Sequence, residues 1–283
     1  MFRIGNQTSC HSQHILDPFE FAITHRFESF EWFFDKNMDG SGLDISRVDA
    51  SFKKYIKQTA DNADLSLSVH APCNISLYSE KDIRVLHEII NFTIDIKARV
   101  LVLHFDSSMG LMGFLTRIEN VAQDLSNTDI ALALENTPEN GPLEFNQFFN
   151  TMTTRGGGKV GMAFDIGHAN LFRDFRNNYV GYLNALEPHV PINHLHFHEN
   201  SGESDSHDTI FSTYSKDNDL GIRTVMEILI ERCSSANIIF EQWPYPRSLL
   251  VDARDRLQKI INQERSNYLK RSASENNNCN YNR

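Results

Sequence analysis

Eight short apolar segments, each followed by enough residues for a helix, constrain the fold of this chain more than any other feature. In the segment LSLSVH at 65–70, leucine and valine alternate with serine and histidine. DIALALE (129–135) and KVGMAFD (159–165) repeat this alternation with alanine or glycine at the small positions. Because the side chains of a strand alternate between its two faces, each segment has one bulky apolar face and one small face. A flat sheet covered by helices on both sides needs two bulky faces, so the pattern indicates a closed barrel instead.

The regular alternation of these strands with helical segments predicts the topology. Apolar residues recur with helical periodicity at 80–96 and 221–233, and a closing helix is predicted at 252–269. Such repetition favours a parallel sheet, and eight units predict an α/β protein of the (β/α)8 TIM-barrel class. We expect one domain over residues 1–268, followed by a polar, disordered tail at 269–283. The other predicted strands are 2–6, 29–34, 99–105, 192–198 and 237–242.

Side chains of metal-ligand type stand at the carboxyl end of the small face in successive strands. From His70 to His104, Glu135, Asp165 and His196, the steps are 34, 31, 30 and 31 residues. Each step matches one βαβ unit of about 30 residues, so these side chains are expected at equivalent heights around the barrel. We therefore predict that they converge at the carboxyl mouth, where TIM-barrel active sites lie.

Four further residues of the same type belong to this predicted rim: His168, Asp205, His207 and Glu241. Nine imidazoles and carboxylates in one confined place would be costly without a compensating charge. A divalent cation supplies that charge, and mixed histidine and carboxylate sets suit Zn²⁺ or Mn²⁺. The number of donors allows one to three ions.

Charge and cysteine content narrow the classes of function. The chain has 27 basic and 37 acidic residues and a net charge of −10, which argues against a surface built mainly to hold a nucleic-acid backbone. Its four cysteines are scattered without a CxxC pair, so neither a disulfide framework nor a thiolate zinc site is indicated. No signal-peptide core or membrane-length apolar run is present. We expect a reduced, cytoplasmic compartment and no membrane partner.

An ordered series of short stretches carries a family resemblance. They are SVHAP (68–72), VLHFD (102–106), ALENT (133–137), FDIGHAN (164–170), HFHEN (196–200), DSH (205–207) and FEQ (240–242). The series resembles the xylose isomerase-like TIM-barrel superfamily. That superfamily includes endonuclease IV-type AP endonucleases (AP endonuclease family 2) and sugar or sugar-phosphate isomerases and epimerases. The resemblance spans most of the chain, from the third strand to the eighth.

The resemblance implies three sets of metal ligands, as in the endonucleases, which hold three zinc ions. The first set is His70, His104 and Glu135. The second set is Glu135, Asp165, His196 and Glu241. The third set is His168, Asp205 and His207. Isomerases and epimerases of the superfamily use mainly the second set, around one ion.

The sequence departs from the endonuclease pattern at several places. Cys73 stands where the endonucleases usually have a tyrosine that engages DNA, and a long loop at 199–218 replaces a short turn. The histidine-rich stretch looks more like that of uncharacterised sugar-isomerase-like members. His194 and His198 match no ligand of the family, and with Glu199 they are expected to form the wall that binds substrate.

Two charged residues near the amino terminus are also predicted to face the barrel interior. Arg3 and Glu31 lie on the adjacent first and second strands. We interpret them as a structural ion pair or as a contact for a substrate phosphate, with the structural role favoured.

The sequence leaves three functions open. The favoured one is a metal-dependent isomerase or epimerase of a small sugar or sugar phosphate, in which Glu135 and Glu241 act as base and acid while the metal stabilises an enediolate. The alternative is zinc-dependent hydrolysis of a phosphodiester at abasic DNA, which makes nucleic acid a second possible partner. A non-catalytic, metal-binding barrel is the third. The sequence does not decide the oligomeric state.

Overall fold

Eight parallel strands close into a barrel in the computed structural model, which describes residues 1–35, 42–154, 159–233 and 235–280. Each strand pairs with the next along the chain, and the eighth pairs with the first. The strands are β1 (Phe2–Gln7), β2 (Ser29–Phe33), β3 (Ser66–His70), β4 (Val100–His104), β5 (Ala131–Glu135), β6 (Val160–Asp165), β7 (Ile192–Phe197) and β8 (Ala236–Phe240). The predicted (β/α)8 TIM barrel is confirmed.

Helices follow the strands and cover the outside of the barrel. They are α1 (Asp17–Thr24), α2 (Ala50–Ala63), α3 (Glu80–Asp95), α4 (Leu111–Asp124), α5 (Pro142–Thr154), α6 (Ile166–Leu171), α7 (Tyr179–Ala185), α8 (Leu220–Arg232) and α9 (Ser248–Asn280). Short 3₁₀ turns lie at Ile45–Arg47 and Arg173–Phe175. Among the described residues, no helix is long and apolar enough to cross a membrane.

The alternation of large and small side chains separates two hydrophobic regions. The bulky faces of the strands pack against the helices, and the large aromatic residues Trp32, Phe19 and Phe92 are fully buried there. Inside the barrel, a separate small cluster consists of valine and alanine side chains from β4, β5 and β6. The small interior leaves room for polar side chains near the carboxyl mouth, which is why the barrel can hold a site at that end.

Helix α9 continues beyond residue 268, through most of the segment expected to be a disordered tail. Arg271 explains part of this continuation, since its guanidinium contacts Glu227 and Glu231 of α8 at 2.7 and 3.0 Å. These ion pairs hold the extended helix against its neighbour. Residues 281–283 lie outside the described part of the chain, and the division of the chain at residue 268 stays a prediction.

Candidate metal centre

Glu135, at the end of β5, lies among four imidazoles. Its carboxylate oxygens are 2.6 Å from Nε2 of His70, 3.1 Å from Nδ1 of His168, 3.2 Å from Nδ1 of His196 and 3.6 Å from Nε2 of His104. Burial alone would raise the pKa of this carboxyl group, but the surrounding imidazoles hold it well below its ordinary value. The structure therefore brings the ends of β3, β4 and β7 close to Glu135 at the end of β5. The role of these side chains as metal ligands stays a prediction.

Two more buried carboxylates lie near Nδ1 of His196, the same nitrogen that faces Glu135. Nδ1 of His196 is 3.4 Å from Glu241 and 3.9 Å from Asp165. Burial, together with the nearby negative charges of Glu135 and Asp165, raises the pKa of Glu241. A cation would relieve the mutual repulsion of three buried carboxylates. Three members of the second predicted set, Glu135, His196 and Glu241, have ligand atoms within 4.8 Å of one another, and His70 joins them. Asp165, the fourth predicted member, instead groups with Glu135 and His168, or with His198 and Glu241.

The third predicted set also comes together, and its two histidines have defined orientations. Nδ1 of His168 donates a hydrogen bond to the carbonyl of Asn136 (2.9 Å), and Nδ1 of His207 donates to the carbonyl of Glu241 (3.0 Å). Each imidazole therefore turns Nε2 toward Asp205, with both nitrogens 3.2 Å from the same carboxylate oxygen. Backbone carbonyls commonly orient metal-binding histidines in this way.

His198 lies inside this cluster, although the sequence placed it in a substrate-binding wall. Its Nε2 is 3.1 Å from Asp165 and 3.8 Å from Asp205, and its ring stacks on that of His207 with centroids 4.0 Å apart. The other side of the ring rests on Gly167, where an added Cβ would lie 2.0 Å from a ring atom. The absence of a side chain at Gly167 is thus what admits this imidazole.

Glu31 is buried beneath the cluster, and the expected pairing with Arg3 is wrong. Nε2 of His194 donates to one carboxylate oxygen of Glu31 at 2.8 Å, and Nε2 of His196 lies 3.0 Å from the other. Arg3 instead contacts Asp64 at the surface, at 3.3 Å. Strand register is the reason: Gln7 is paired with Glu31, so Arg3 lies four residues, or roughly 13 Å, nearer the amino end of the barrel.

Glu199 contacts its own loop and does not belong to the cluster. Its carboxylate accepts hydrogen bonds from the hydroxyl of Thr213 (2.9 Å) and from the backbone amides of Tyr214 (3.1 Å) and Ser215 (3.2 Å). Its own backbone pairs with that of Asp208 in both directions at 2.8 Å. The carboxylate therefore organises the loop at 199–218, and its expected role in binding substrate stays untested.

A cavity of about 380 Å³ opens beside the cluster at the carboxyl mouth of the barrel. Asp205, His207 and Glu241 form part of its wall, and so do Gln7 and Trp243. Sequence reasoning missed the last two, although each lies at or just after the end of a predicted strand on the active side of the barrel. Position at the end of a strand is the signal that would have found them. The remaining lining residues are Thr8, Ser9, Cys10, His11, Phe33, Asp35, Leu43, Ser206 and Gln242.

Several buried polar atoms of these residues have no hydrogen-bond partner, which bears on whether the residues suit a metal ion. Both ring nitrogens of His196 and of His198 lack a partner in hydrogen-bonding geometry, as does one carboxylate oxygen of Asp165. Buried polar atoms without partners are rare in folded proteins and require an explanation. Imidazole nitrogens and carboxylate oxygens whose ligand atoms lie within 4.8 Å of one another are the donors that a divalent cation takes, so the donor set fits one.

Comparison with known proteins supports the fold and leaves the activity open. No protein-family model matches the chain. An uncharacterized protein of Methanocaldococcus jannaschii is 23% identical over 180 residues, which cover 56% of this chain and 68% of that protein.

Solved structures with the same barrel differ in function. They include a Thermus thermophilus protein soaked with zinc chloride, with a TM-score of 0.65 at 18% identity. The match covers 92% of this chain and 98% of that protein. A D-psicose 3-epimerase crystallised with D-fructose has a TM-score of 0.64 at 13% identity, with 95% of this chain and 98% of the epimerase covered. Endonuclease IV of Thermus thermophilus has a TM-score of 0.63 at 14% identity, with 92% and 99% covered. At such identities the likeness establishes the fold alone.

Proposed function

We propose that this protein is a divalent-metal-dependent isomerase or epimerase of a small sugar or sugar phosphate. The observation that carries the proposal is the cavity of about 380 Å³ whose wall includes Glu241, Asp205 and His207. Its size is in the range of small-molecule sites, and it joins directly to the donor cluster. The epimerase crystallised with D-fructose, which has the same barrel, gives independent support for a sugar substrate.

The second set of donors (Glu135, Asp165, His196 and Glu241) would hold the ion on which this chemistry depends, with Zn²⁺ or Mn²⁺ as candidates. When bound, a divalent cation would stabilise the negative charge that develops on a sugar carbonyl and its neighbouring hydroxyl. Glu31 would orient His196 from below, because it contacts the ring nitrogen that points away from the other three carboxylates.

The two glutamates have different surroundings, which indicates different roles for them. Glu241 forms part of the cavity wall, so its carboxyl group is placed to take or return a proton at a sugar carbon. Glu135 is 1% exposed and surrounded by imidazoles, which suits a ligand shared between two sets. In this proposal Glu241 carries the proton transfer at the cavity and Glu135 assists from the opposite side.

Endonuclease IV-type hydrolysis of abasic DNA is the second candidate, and a specific observation favours it. His168, Asp205 and His207, which a single-ion isomerase does not need, have ligand atoms close enough together to hold a further ion. Against it stands Cys73, at the position of the tyrosine that usually engages DNA.

A solvent-deuterium experiment separates these candidates. Metal-loaded protein would be incubated in D₂O with a panel of ketoses and their phosphates, and in parallel with a duplex that contains an abasic site. We expect deuterium at a sugar carbon, detected by mass spectrometry, and no incision of the duplex. The variant E241Q should lose exchange, whereas the exposed control E187Q should retain it.

Other outcomes would change the assignment. Incision of the duplex without deuterium incorporation would favour the endonuclease. Neither reaction, in protein that binds metal tightly, would favour the non-catalytic barrel.

A further inference from the structure

We infer that His198 is a fourth protein ligand of the third metal site, which closes that site and makes its ion a structural anchor for the loop at 199–218. The inference rests on the metal centre proposed above. It concerns a residue that matches no ligand expected from the sequence resemblance.

The two neighbouring histidines have defined orientations. Both His168 and His207 use Nδ1 to donate to a backbone carbonyl and turn Nε2 toward Asp205. This leaves two imidazole lone pairs and a carboxylate aimed at a common point. Three ligands of this kind with an open fourth position would be a catalytic arrangement.

His198 supplies the fourth donor. One ligand atom from each of His168, His198, Asp205 and His207 lies within 4.8 Å of the others. The ring of His198 is buried, and neither of its nitrogens is used in a hydrogen bond. A buried imidazole with a free lone pair beside three converging donors is readily explained as a ligand, and four protein ligands are typical of structural zinc sites.

Two of the four ligands belong to the barrel and two to the loop at 199–218. His168 lies on α6 and His198 follows β7, so both belong to the rigid barrel, whereas Asp205 and His207 belong to the loop. An ion held by all four would tie the loop to the barrel. Because its coordination would be filled by protein, it would not offer a position to substrate.

Cobalt substitution provides a test that does not depend on activity. Co²⁺ titration of the protein would follow the visible absorption, which is intense for four-coordinate cobalt, and hydrogen exchange would follow the loop at 199–218. H198A should lower the affinity of one cobalt ion by at least about tenfold, weaken the four-coordinate absorption and increase exchange in the loop. H189A, a histidine outside the cluster, is the matched control.

A second variant leaves every proposed ligand in place. G167A should displace the ring of His198, because the new Cβ would occupy its position, and so should reproduce the cobalt and exchange effects. G113A is its control, since a Cβ there would make only an ordinary contact at 3.5 Å.

Each remaining outcome is informative. Wild-type protein that binds no cobalt would overturn the proposed metal centre itself. Cobalt binding that H198A and G167A leave unchanged would overturn only the role of His198. Weaker cobalt binding with unchanged exchange in the loop would assign His198 to the second set, and would also overturn the inference.

Discussion

Replacing Glu31 by glutamine should weaken both the fold and the metal centre, because this carboxylate is the buried partner of two histidines. It is 0% exposed, accepts a hydrogen bond of 2.8 Å from His194, and lies 3.0 Å from His196. Burial would raise its pKa, but the two imidazoles hold the pKa of Glu31 well below its ordinary value. The contact with His196 is ionic, because the surrounding carboxylates raise the pKa of His196 well above its ordinary value despite its burial. Burial lowers the pKa of His194, so its hydrogen bond to Glu31 comes from a neutral imidazole at neutral pH. Both contacts lie in the interior, where solvent screening is removed.

The expected magnitude follows from the contacts that are lost. A hydrogen bond to a charged group contributes about 1.5–3 kcal/mol, and breaking a buried ion pair costs about 3–5 kcal/mol. We therefore expect E31Q to lower the free energy of unfolding of the metal-free protein by about 3 kcal/mol. Loss of a carboxylate that supports a metal-binding histidine lowers metal affinity by about 10- to 100-fold, so zinc should bind E31Q more weakly by roughly that factor.

Two measurements check these values. Urea denaturation of metal-free protein at neutral pH gives the change in stability, and competition with a chromophoric chelator gives the zinc affinity. A depressed carboxyl pKa stabilises the fold fully above the ordinary value of 4.5, and this stabilisation is lost as the pH falls through the lowered pKa. The difference between wild type and E31Q should accordingly shrink in acid.

A surface variant provides the control. R3Q removes the residue that the sequence had suggested as the partner of Glu31, and it should leave zinc affinity unchanged because Arg3 contacts Asp64 at the surface, away from the cluster. Our reasoning would be refuted if E31Q kept wild-type stability and zinc affinity, or if R3Q reproduced its effects.

Three further predictions concern the cluster and its surroundings. E135A should lower metal content more than any other single ligand variant, because Glu135 contacts histidines of both the first and the second set. Elemental mass spectrometry would measure the metal content, and an equal loss in H104A would contradict this prediction. Hydrogen exchange of the loop at 199–218 should slow when metal is added, and identical exchange with and without metal would count against an ordering role. Cys73 is exposed, but desolvation by the protein around its thiol, and next the negative charge of Glu135, raise its pKa to about 12. Metal should therefore lower this pKa and speed alkylation by iodoacetamide at about pH 8. Peptide mass mapping would identify the modified cysteine, and a rate that metal leaves unchanged would refute the effect.

The sequence alone predicted the fold and the metal-ligand type of residue at the end of successive strands. Alternation in a strand is a local property, so the small face and the ligand at its carboxyl end could be recognised strand by strand at His70, Glu135 and Asp165. The recurrence of these residues at about one βαβ unit then placed them at one height in a closed barrel. Nothing beyond local periodicity and spacing was needed for either step.

The tertiary structure decided which of these side chains touch one another. Glu31 faces His194 and His196 rather than Arg3 because the strands of the closed barrel are staggered, and stagger depends on pairing between strands. His198 enters the cluster because Gly167, on another element, leaves space for its ring. Residues inside one strand follow a period that the sequence displays, whereas contacts between strands and loops depend on register and packing, which no single segment encodes.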